Sequence, residues 1–168
     1  MVLSPTLSLI QASLAADGKH VHGVKRPDPM NPVYFETRSR SSDPLPEWPQ
    51  EFVIVSAYAT TGESWTPHEN EMADCHLASE LVTRVGWLVR IVGYSPLSGH
   101  SEPSWAVELP LAEARDIGQR FRQEAIYHVR NDELSVTSCS DQSAFVRIGS
   151  FRDRLDAAHH REFRHGQG

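Results

Sequence analysis

An apolar run from Phe52 to Tyr58, with the sequence FVIVSAY, stands out in the chain because it turns polar at its end. Val53, Ile54 and Val55 are β-branched, and the run is too short for a helix, so it predicts a strand. A small polar loop, ATTGES, follows it. A strand that runs into a polar loop and a helix start is a common way to build a site.

The segment after this loop carries the start signals of a helix. Thr66 is a suitable N-cap, Pro67 fits the first helical position, and Glu69 completes a T-x-x-E capping box. We expect this helix to end near Gly86, a residue type typical of the position just past a C-terminus. Before it, apolar residues recur at helical spacing, at Ala73, Leu77, Leu81 and Val85.

The rest of the chain continues this alternation of elements. Apolar patterns predict strands over 87–94 and 104–109, a helix that opens at Pro110, and a strand over 124–130. A turn then leads into a strand over 134–138 as a hairpin, and a short strand is predicted over 145–148. After Phe151, apolar residues and a histidine lie four apart and predict a terminal amphipathic helix: Phe151, Leu155, His159 and Phe163.

The order β, α, β, β, α, β predicts an α+β fold, a ferredoxin-like βαββαβ sandwich with extra C-terminal strands and a terminal helix. Residues 1–50 differ in composition, since six of the eleven prolines lie between Pro27 and Pro49. Proline removes backbone donors and restricts its neighbours. We therefore predict a proline-rich arm or linker over 1–50, with a weak helix over 7–16, and a single α+β domain over 51–168.

Charge and hydropathy narrow the function classes. The net charge is −6 and only two lysines occur, so a nucleic-acid partner is not expected. No apolar run approaches the roughly 20 residues that span a bilayer. The N-terminal stretch lacks the positive region of a signal peptide, and we expect a cytoplasmic protein.

Cysteine and histidine spacing indicates no metal site. Cys75 and Cys139 form no CxxC pair, and Cys75 is predicted to be a buried thiol; a disulfide between the two stays open. The histidines near both ends, such as His20, His22 and His159, lack partners at the spacing of a metal site. The chain has no G-x-G-x-x-G and no P-loop, so the cofactor stays unknown.

The predicted topology brings polar residues together. A helix connects the first two predicted strands, so they run parallel and point to one end of the sheet, here called the upper edge. Each polar side chain predicted at this edge could, taken singly, simply hydrogen-bond to backbone or water. Together they predict a site, with Ser56, Tyr58, Asn70, Glu102 and Gln123 as ligand-binding candidates and Glu63, Arg122 and His100 nearby.

The same residues carry a family resemblance. SAY, a helix-opening asparagine, EPSW and RFRQEAI resemble a bacterial domain-of-unknown-function family, number 3293, over about residues 51–130. The matching residues are Ser56, Ala57, Tyr58, Asn70, Glu102, Gln123, Ala125 and Ile126. In this chain Ala59-Thr60 replaces an Asn-Pro pair of the pattern, and Arg122 replaces a glycine. The resemblance implies no known activity.

Two functions fit these observations. The first is a binding or regulatory module that holds a small polar ligand or a protein partner at the upper edge. The second is a small hydrolase or transferase that uses Glu102 as an acid or base, because burial would raise the pKa of that carboxyl. A serine hydrolase is disfavoured, since no G-x-S-x-G turn surrounds Ser56.

Overall fold

A computed structural model of the chain describes residues 30–41, 47–60 and 63–156. Two α-helices and two short 3-10 helices, Pro32–Phe35 and Arg152–Arg154, accompany the strands. The α-helices are α1 (Pro67–Val82) and α2 (Leu111–Arg120). The strands are β1 (Arg38–Ser41), β2 (Glu51–Val55), β3 (Leu88–Tyr94), β4 (Ser101–Val107), β5 (Ala125–Arg130), β6 (Glu133–Ser138), β7 (Phe145–Ser150) and β8 (Leu155–Asp156).

All these strands join one curled sheet in the order β7-β6-β5-β2-β4-β3-β1-β8. The sheet is mixed, because β8 pairs with β1 in parallel while the other neighbours pair antiparallel. Strands β2 and β3 both lie antiparallel to β4 and therefore point the same way. Their ends lie at the upper edge.

The central strand β2 is buried on both of its faces. Val53 and Val55 pack on one side with the helices, whereas Phe52 and Ile54 pack on the other. Side chains alternate between the faces of a strand, so a strand covered on both sides needs a continuous apolar run. This double burial explains why FVIV shows no polar alternation.

Both helices cover the same face of the sheet. Thr66 and Glu69 form the predicted capping box at the start of α1, and Leu77 and Leu81 are its buried residues. Helix α2 follows Pro110 and approaches the sheet closely at Gly118. A β-carbon built on Gly118 would lie 2.5 Å from Cys139 Sγ, so only glycine fits there without a shift of its neighbours.

Aromatic side chains pack on the opposite face. Phe151 lies with its ring centroid 4.9 Å from Trp48 and 5.1 Å from Phe52. Trp87 joins this cluster, 5.5 Å from Trp48. Rings at these separations make favourable offset or edge contacts. This aromatic face therefore has a core of its own, although neither helix covers it.

The ferredoxin-like prediction is wrong. The helices and strands between 51 and 130 occur in the predicted order, but the sheet has eight strands and is curled and mixed. Strands β1 and β8 extend one side, and β6 and β7 extend the other. The aromatic core on the second face gives the added strands something to pack against, and no two-layer sandwich results.

Two smaller predictions also need correction. The predicted terminal helix is absent over the described residues 151–156, where a 3-10 turn and β8 occur instead; its remainder lies outside the described residues. Cys75 is exposed rather than buried, and both it and Cys139 are free thiols. Part of the predicted arm forms β1. The predicted helix over 7–16 and the terminal histidines lie outside the described residues.

No helix in the described part of the chain is long and apolar enough to cross a membrane.

Candidate functional site

A cavity of about 370 Å³ lies between the aromatic face of the sheet and the segment 31–37. Its floor comes from the ends of central strands: Ile54 and Ser56 from β2 and the residue after it, Glu102 and Ser104 from β4, and Tyr127 from β5. These side chains share one face because they occupy alternate strand positions. The cavity therefore lies at the upper edge, on the side away from the helices.

The outer wall comes from the segment that the sequence predicts as an arm. Asn31, Val33, Tyr34 and Thr37 line the cavity from this side. Asn31 caps the 3-10 helix, since its Oδ1 accepts a hydrogen bond from Val33 N at 3.1 Å. This cap and the proline after it fix the local turn, so the wall is a defined piece of structure.

Hydrogen bonds from β5 hold this wall in place. Tyr127 Oη donates to Thr37 Oγ1 at 2.7 Å and also lies 3.1 Å from the carbonyl oxygen of Tyr34. Tyr34 Oη in turn donates to Glu124 Oε2 at 3.0 Å. Burial raises the pKa of the Tyr127 phenol above its ordinary range. The phenol therefore stays protonated and serves as a permanent donor.

Arg154 fastens the same wall from the C-terminal side. Its Nη1 donates to the carbonyl oxygens of Phe35 at 2.8 Å and Thr37 at 3.1 Å, and its Nη2 donates to that of Ile148 at 2.8 Å. A guanidinium offers several donors in a fixed planar fork, which suits the bridging of separate carbonyls. Segments distant in sequence thus meet at one side chain.

Glu102 is the main ionisable group of the cavity floor. Its side chain is 24% exposed, and His100 Nε2 lies 3.7 Å from its Oε2. Removal from water raises the pKa of this carboxyl above its ordinary value, while the nearby Ser56 hydroxyl and His100 act in the opposite direction. His100 is 71% exposed, so solvent weakens its influence.

Ser56 joins the start of the loop to β4. Its Oγ donates to the carbonyl oxygen of Pro103 at 3.3 Å and accepts from Tyr58 N at 3.1 Å. These two contacts and the nearby Glu102 carboxyl surround the Ser56 hydroxyl on several sides. No described histidine hydrogen-bonds to Ser56, and an activated serine needs such a base. The hydroxyl therefore shapes the floor.

Gln123 and Asn70 fix the loop that leaves β2. Gln123 Nε2 donates to the carbonyl oxygens of Tyr58 at 2.8 Å and Phe121 at 3.2 Å. Asn70 Oδ1 accepts from Ala59 N at 2.8 Å. Both amides thus replace backbone partners that the loop lacks, which is the local role that such side chains often play.

The structure divides the predicted candidates into two groups. Ser56, Glu102 and Gln123 line the cavity, together with Glu63 and His100. Tyr58 and Asn70 do not line it. Burial raises the pKa of the Tyr58 phenol, and the negative charge of Asp74 raises it further by a smaller amount. The topology thus brings the predicted residues to one edge, but two of them contact the loop or the region around α1.

Arg122 lies just outside the cavity and closes its rim through Glu63. Its Nη2 donates to Glu63 Oε1 at 2.6 Å, and Trp65 Nε1 donates to the other carboxylate oxygen at 2.9 Å. The backbone of Arg122 has φ +60°, in the left-handed region that favours glycine. A glycine at this position would adopt the same conformation without the strain that a β-carbon brings.

Several lining residues escape the sequence reasoning. Tyr127 and Ala125 alternate on β5, so their shared face could be inferred, but not that this face bounds a cavity. Tyr94 ends β3 at the upper edge, where the sequence places it, but the bond that its hydroxyl donates to Asp156 in β8 is not predicted. Thr37 lies in the proline-rich segment, and no local pattern predicts its contact with Tyr127 of β5.

Among residues 30–41, 47–60 and 63–156, no group of three His, Cys, Asp or Glu side chains is placed to hold a metal ion.

Fold and site together define an α+β domain with one curled sheet, two helices on one face and a polar-floored cavity on the other. Residues 55–126 match the family described as "Protein of unknown function (DUF3293)". The match confirms the family resemblance predicted from the sequence. No curated protein and no solved structure matches the chain.

Proposed function

We propose that this domain is a binding module that holds a small polar ligand in the cavity between the segment 31–37 and the sheet. The observation that carries the proposal is the position of Glu102, a largely buried carboxyl with a raised pKa on the floor of a cavity of about 370 Å³. Ligand pockets commonly measure about 300–1,000 Å³ and combine apolar walls with a few polar groups.

The composition of the walls supports a small ligand. Val33, Ile54 and Ala125 supply apolar surface, while Glu102 and Gln123 supply polar groups on the same cavity. The wall is pre-formed by Tyr127 and Arg154, so binding requires little ordering of the chain. A protein partner, the other possibility from the sequence, would instead need a broad exposed surface.

Gly93 offers a direct test of the cavity. It lines the cavity, and a β-carbon built on it makes only ordinary contacts, the closest being 3.6 Å from Thr37 Cγ2. A β-carbon at position 93 therefore fits, and the side chain of Gly93→Leu should extend from it into the cavity. Gly86→Leu is the matched control, because nothing lies within 4 Å of a β-carbon at Gly86 and this residue does not line the cavity.

The experiment is a thermal-shift screen with a library of small polar compounds. A native-state ligand raises the melting temperature by mass action. We expect hits that stabilise the wild type and Gly86→Leu but not Gly93→Leu. Equal stabilisation of all three proteins would place binding elsewhere and contradict the proposal, as would a library without hits. Proteins that co-purify with Gly93→Leu as well as with the wild type would instead favour a protein partner that binds outside the cavity.

The second candidate is a small hydrolase or transferase in which Glu102 acts as acid or base. The raised pKa of Glu102 favours it, because general acids and bases work best with a pKa near the working pH. Glu102→Gln separates the two functions once a ligand is found. If Glu102→Gln binds the ligand but no longer converts it, an enzyme is supported. If the wild type itself does not convert the ligand, the enzymatic role is excluded.

A further inference from the structure

The charge of the cavity lining is one-sided. Two carboxylates, Glu63 and Glu102, line it, and within the described part of the chain no lysine or arginine does. Glu63 already pairs with Arg122 at 2.6 Å, which offsets its charge. Glu102 has the mostly exposed His100 at 3.7 Å, and no lysine or arginine among the described residues forms an ion pair with it. The net electrostatic preference inside the cavity is therefore for a positive group.

Three hydroxyl donors of the cavity floor are already used within the protein. Ser56 Oγ donates a hydrogen bond to the carbonyl oxygen of Pro103. Ser104 Oγ donates one to the backbone carbonyl oxygen of Glu102 at 3.4 Å. Tyr127 Oη donates to Thr37 Oγ1. These hydroxyls therefore offer few free hydrogens to a ligand, and a ligand that must accept hydrogen bonds finds few partners.

Two side chains of the floor, Gln123 and Glu102, present acceptors to the cavity. Gln123 spends its Nε2 on the carbonyls of Tyr58 and Phe121, and its Oε1 has no hydrogen bond within the described residues. The carboxylate oxygens of Glu102 add further acceptor sites. Thr60 Oγ1, on the same cavity, is buried and has no partner in the described part of the chain, so this hydroxyl can either donate to a ligand or accept from one. Such an orphaned hydroxyl is costly unless something pairs with it.

The walls between these acceptors suit an apolar or aromatic body. Three tyrosines line the cavity, and Val33 and Ile54 lie among them. Aromatic faces attract cations as well as apolar groups. A ligand with a positive head and a short hydrocarbon body therefore matches the lining better than an anion or a sugar. The tyrosines are Tyr34, Tyr94 and Tyr127.

From these observations we infer that the cavity takes a small organic amine in its ammonium form. The ammonium group lies against the Glu102 carboxylate and donates to Gln123 Oε1, and the hydrocarbon body lies among the tyrosines. This inference rests on the proposed binding function and names its ligand class. Ammonium groups have three donors and no acceptor, which complements a floor that presents acceptors.

Calorimetry with matched compound pairs tests the ligand class on the full chain. Each pair has one carbon skeleton with an amine or a hydroxyl, from ethanolamine and ethylene glycol to 2-phenylethylamine and 2-phenylethanol; 3-phenylpropanoate serves as the anion. We expect at least one amine to bind about tenfold or more tightly than its alcohol, as a charge-assisted contact provides. The anion should bind most weakly.

Glu102→Gln tests the assigned counter-ion, and Glu113→Gln on the exposed side of α2 is the matched control. Glu102→Gln should lose the preference for the amine over its alcohol, and Glu113→Gln should keep it. The wild-type comparison stands on its own should Glu102→Gln fail to fold. Alcohols that bind as tightly as their amines, an anion that binds best, or a panel without a bound amine would overturn the inference. If the amine inference fails but other compounds still bind the wild type and not Gly93→Leu, the proposed binding function remains intact.

Discussion

Tyr127 and Thr37 are 90 residues apart in sequence, yet their hydroxyl oxygens lie 2.7 Å from each other. This contact joins the segment 31–37 to the sheet across the cavity. The phenol of Tyr127 is largely buried, so this hydrogen bond is shielded from water.

Tyr127→Phe removes this donor and keeps the ring. We expect a loss of about 1 kcal/mol in the free energy of unfolding, the usual net value of one hydrogen bond. Thr37→Val and the double variant complete a cycle measured by urea unfolding. The two effects should be less than additive, because both variants break one contact. Full additivity would show that the two hydroxyls act independently.

The raised pKa of Glu102 predicts how stability depends on pH. The folded state holds the proton on this carboxyl more tightly than the unfolded state does, so ionisation costs stability as pH rises from the ordinary value of 4.5 through the raised value. Below that window both states are protonated and the cost vanishes.

Glu102→Gln mimics the protonated carboxyl. Its free energy of unfolding should therefore exceed that of the wild type at neutral pH, and the two should converge below about pH 4, where the acid is neutral in both states. Urea unfolding as a function of pH measures the difference, with Glu113→Gln as the exposed control. A difference that grows as pH falls would contradict the assigned direction of the shift.

Gly118→Ala tests the close approach of α2 to the sheet. The new β-carbon would meet Cys139 Sγ at 2.5 Å and Ile126 Cγ2 at 3.1 Å. We expect destabilisation of about 1–3 kcal/mol from overpacking, although alanine gains about 1 kcal/mol of helix propensity over glycine. Adding Cys139→Ala should recover part of the loss, since it removes the sulfur. A stabilised Gly118→Ala would show that the helix shifts freely.

Arg122 tests the left-handed backbone at the rim. At φ +60° a residue with a β-carbon is strained by about 1–2 kcal/mol. Arg122→Gly and Arg122→Ala lose the same contact with Glu63, so their difference isolates the backbone. We expect the glycine variant to be more stable by about 1 kcal/mol in urea unfolding. Equal stabilities would mean that this conformation relaxes in the alanine variant.

Local signals made much of the chain predictable. The capping box at Thr66 and the spacing of Leu77 and Leu81 gave α1, and the β-branched run gave β2. The parallel direction of two strands, deduced from the helix between them, brought Ser56 and Glu102 to one edge. Each of these inferences depends on residues close in sequence or on a connection that has few solutions.

Long-range pairing explains what the sequence could not reveal. The segment RSRS of β1 has no apolar alternation, and it becomes a strand only through its pairing with β3. Strand β8 has two residues, Leu155 and Asp156, held by their parallel pairing with β1. The helical spacing of Phe151 and Leu155 was misleading, because Phe151 packs into an aromatic cluster that forms from distant segments.

The cavity crosses the boundary of the segment that matches the family. Glu102, Ser56 and Gln123 lie within residues 55–126, whereas Tyr34 and Thr37 lie before it and Tyr127 just after it. Most of the floor thus lies inside the segment that matches the family, and the outer wall lies outside it. A chain that keeps the floor and replaces the segment 31–37 would retain the charge preference of the cavity while admitting a ligand of another shape and size.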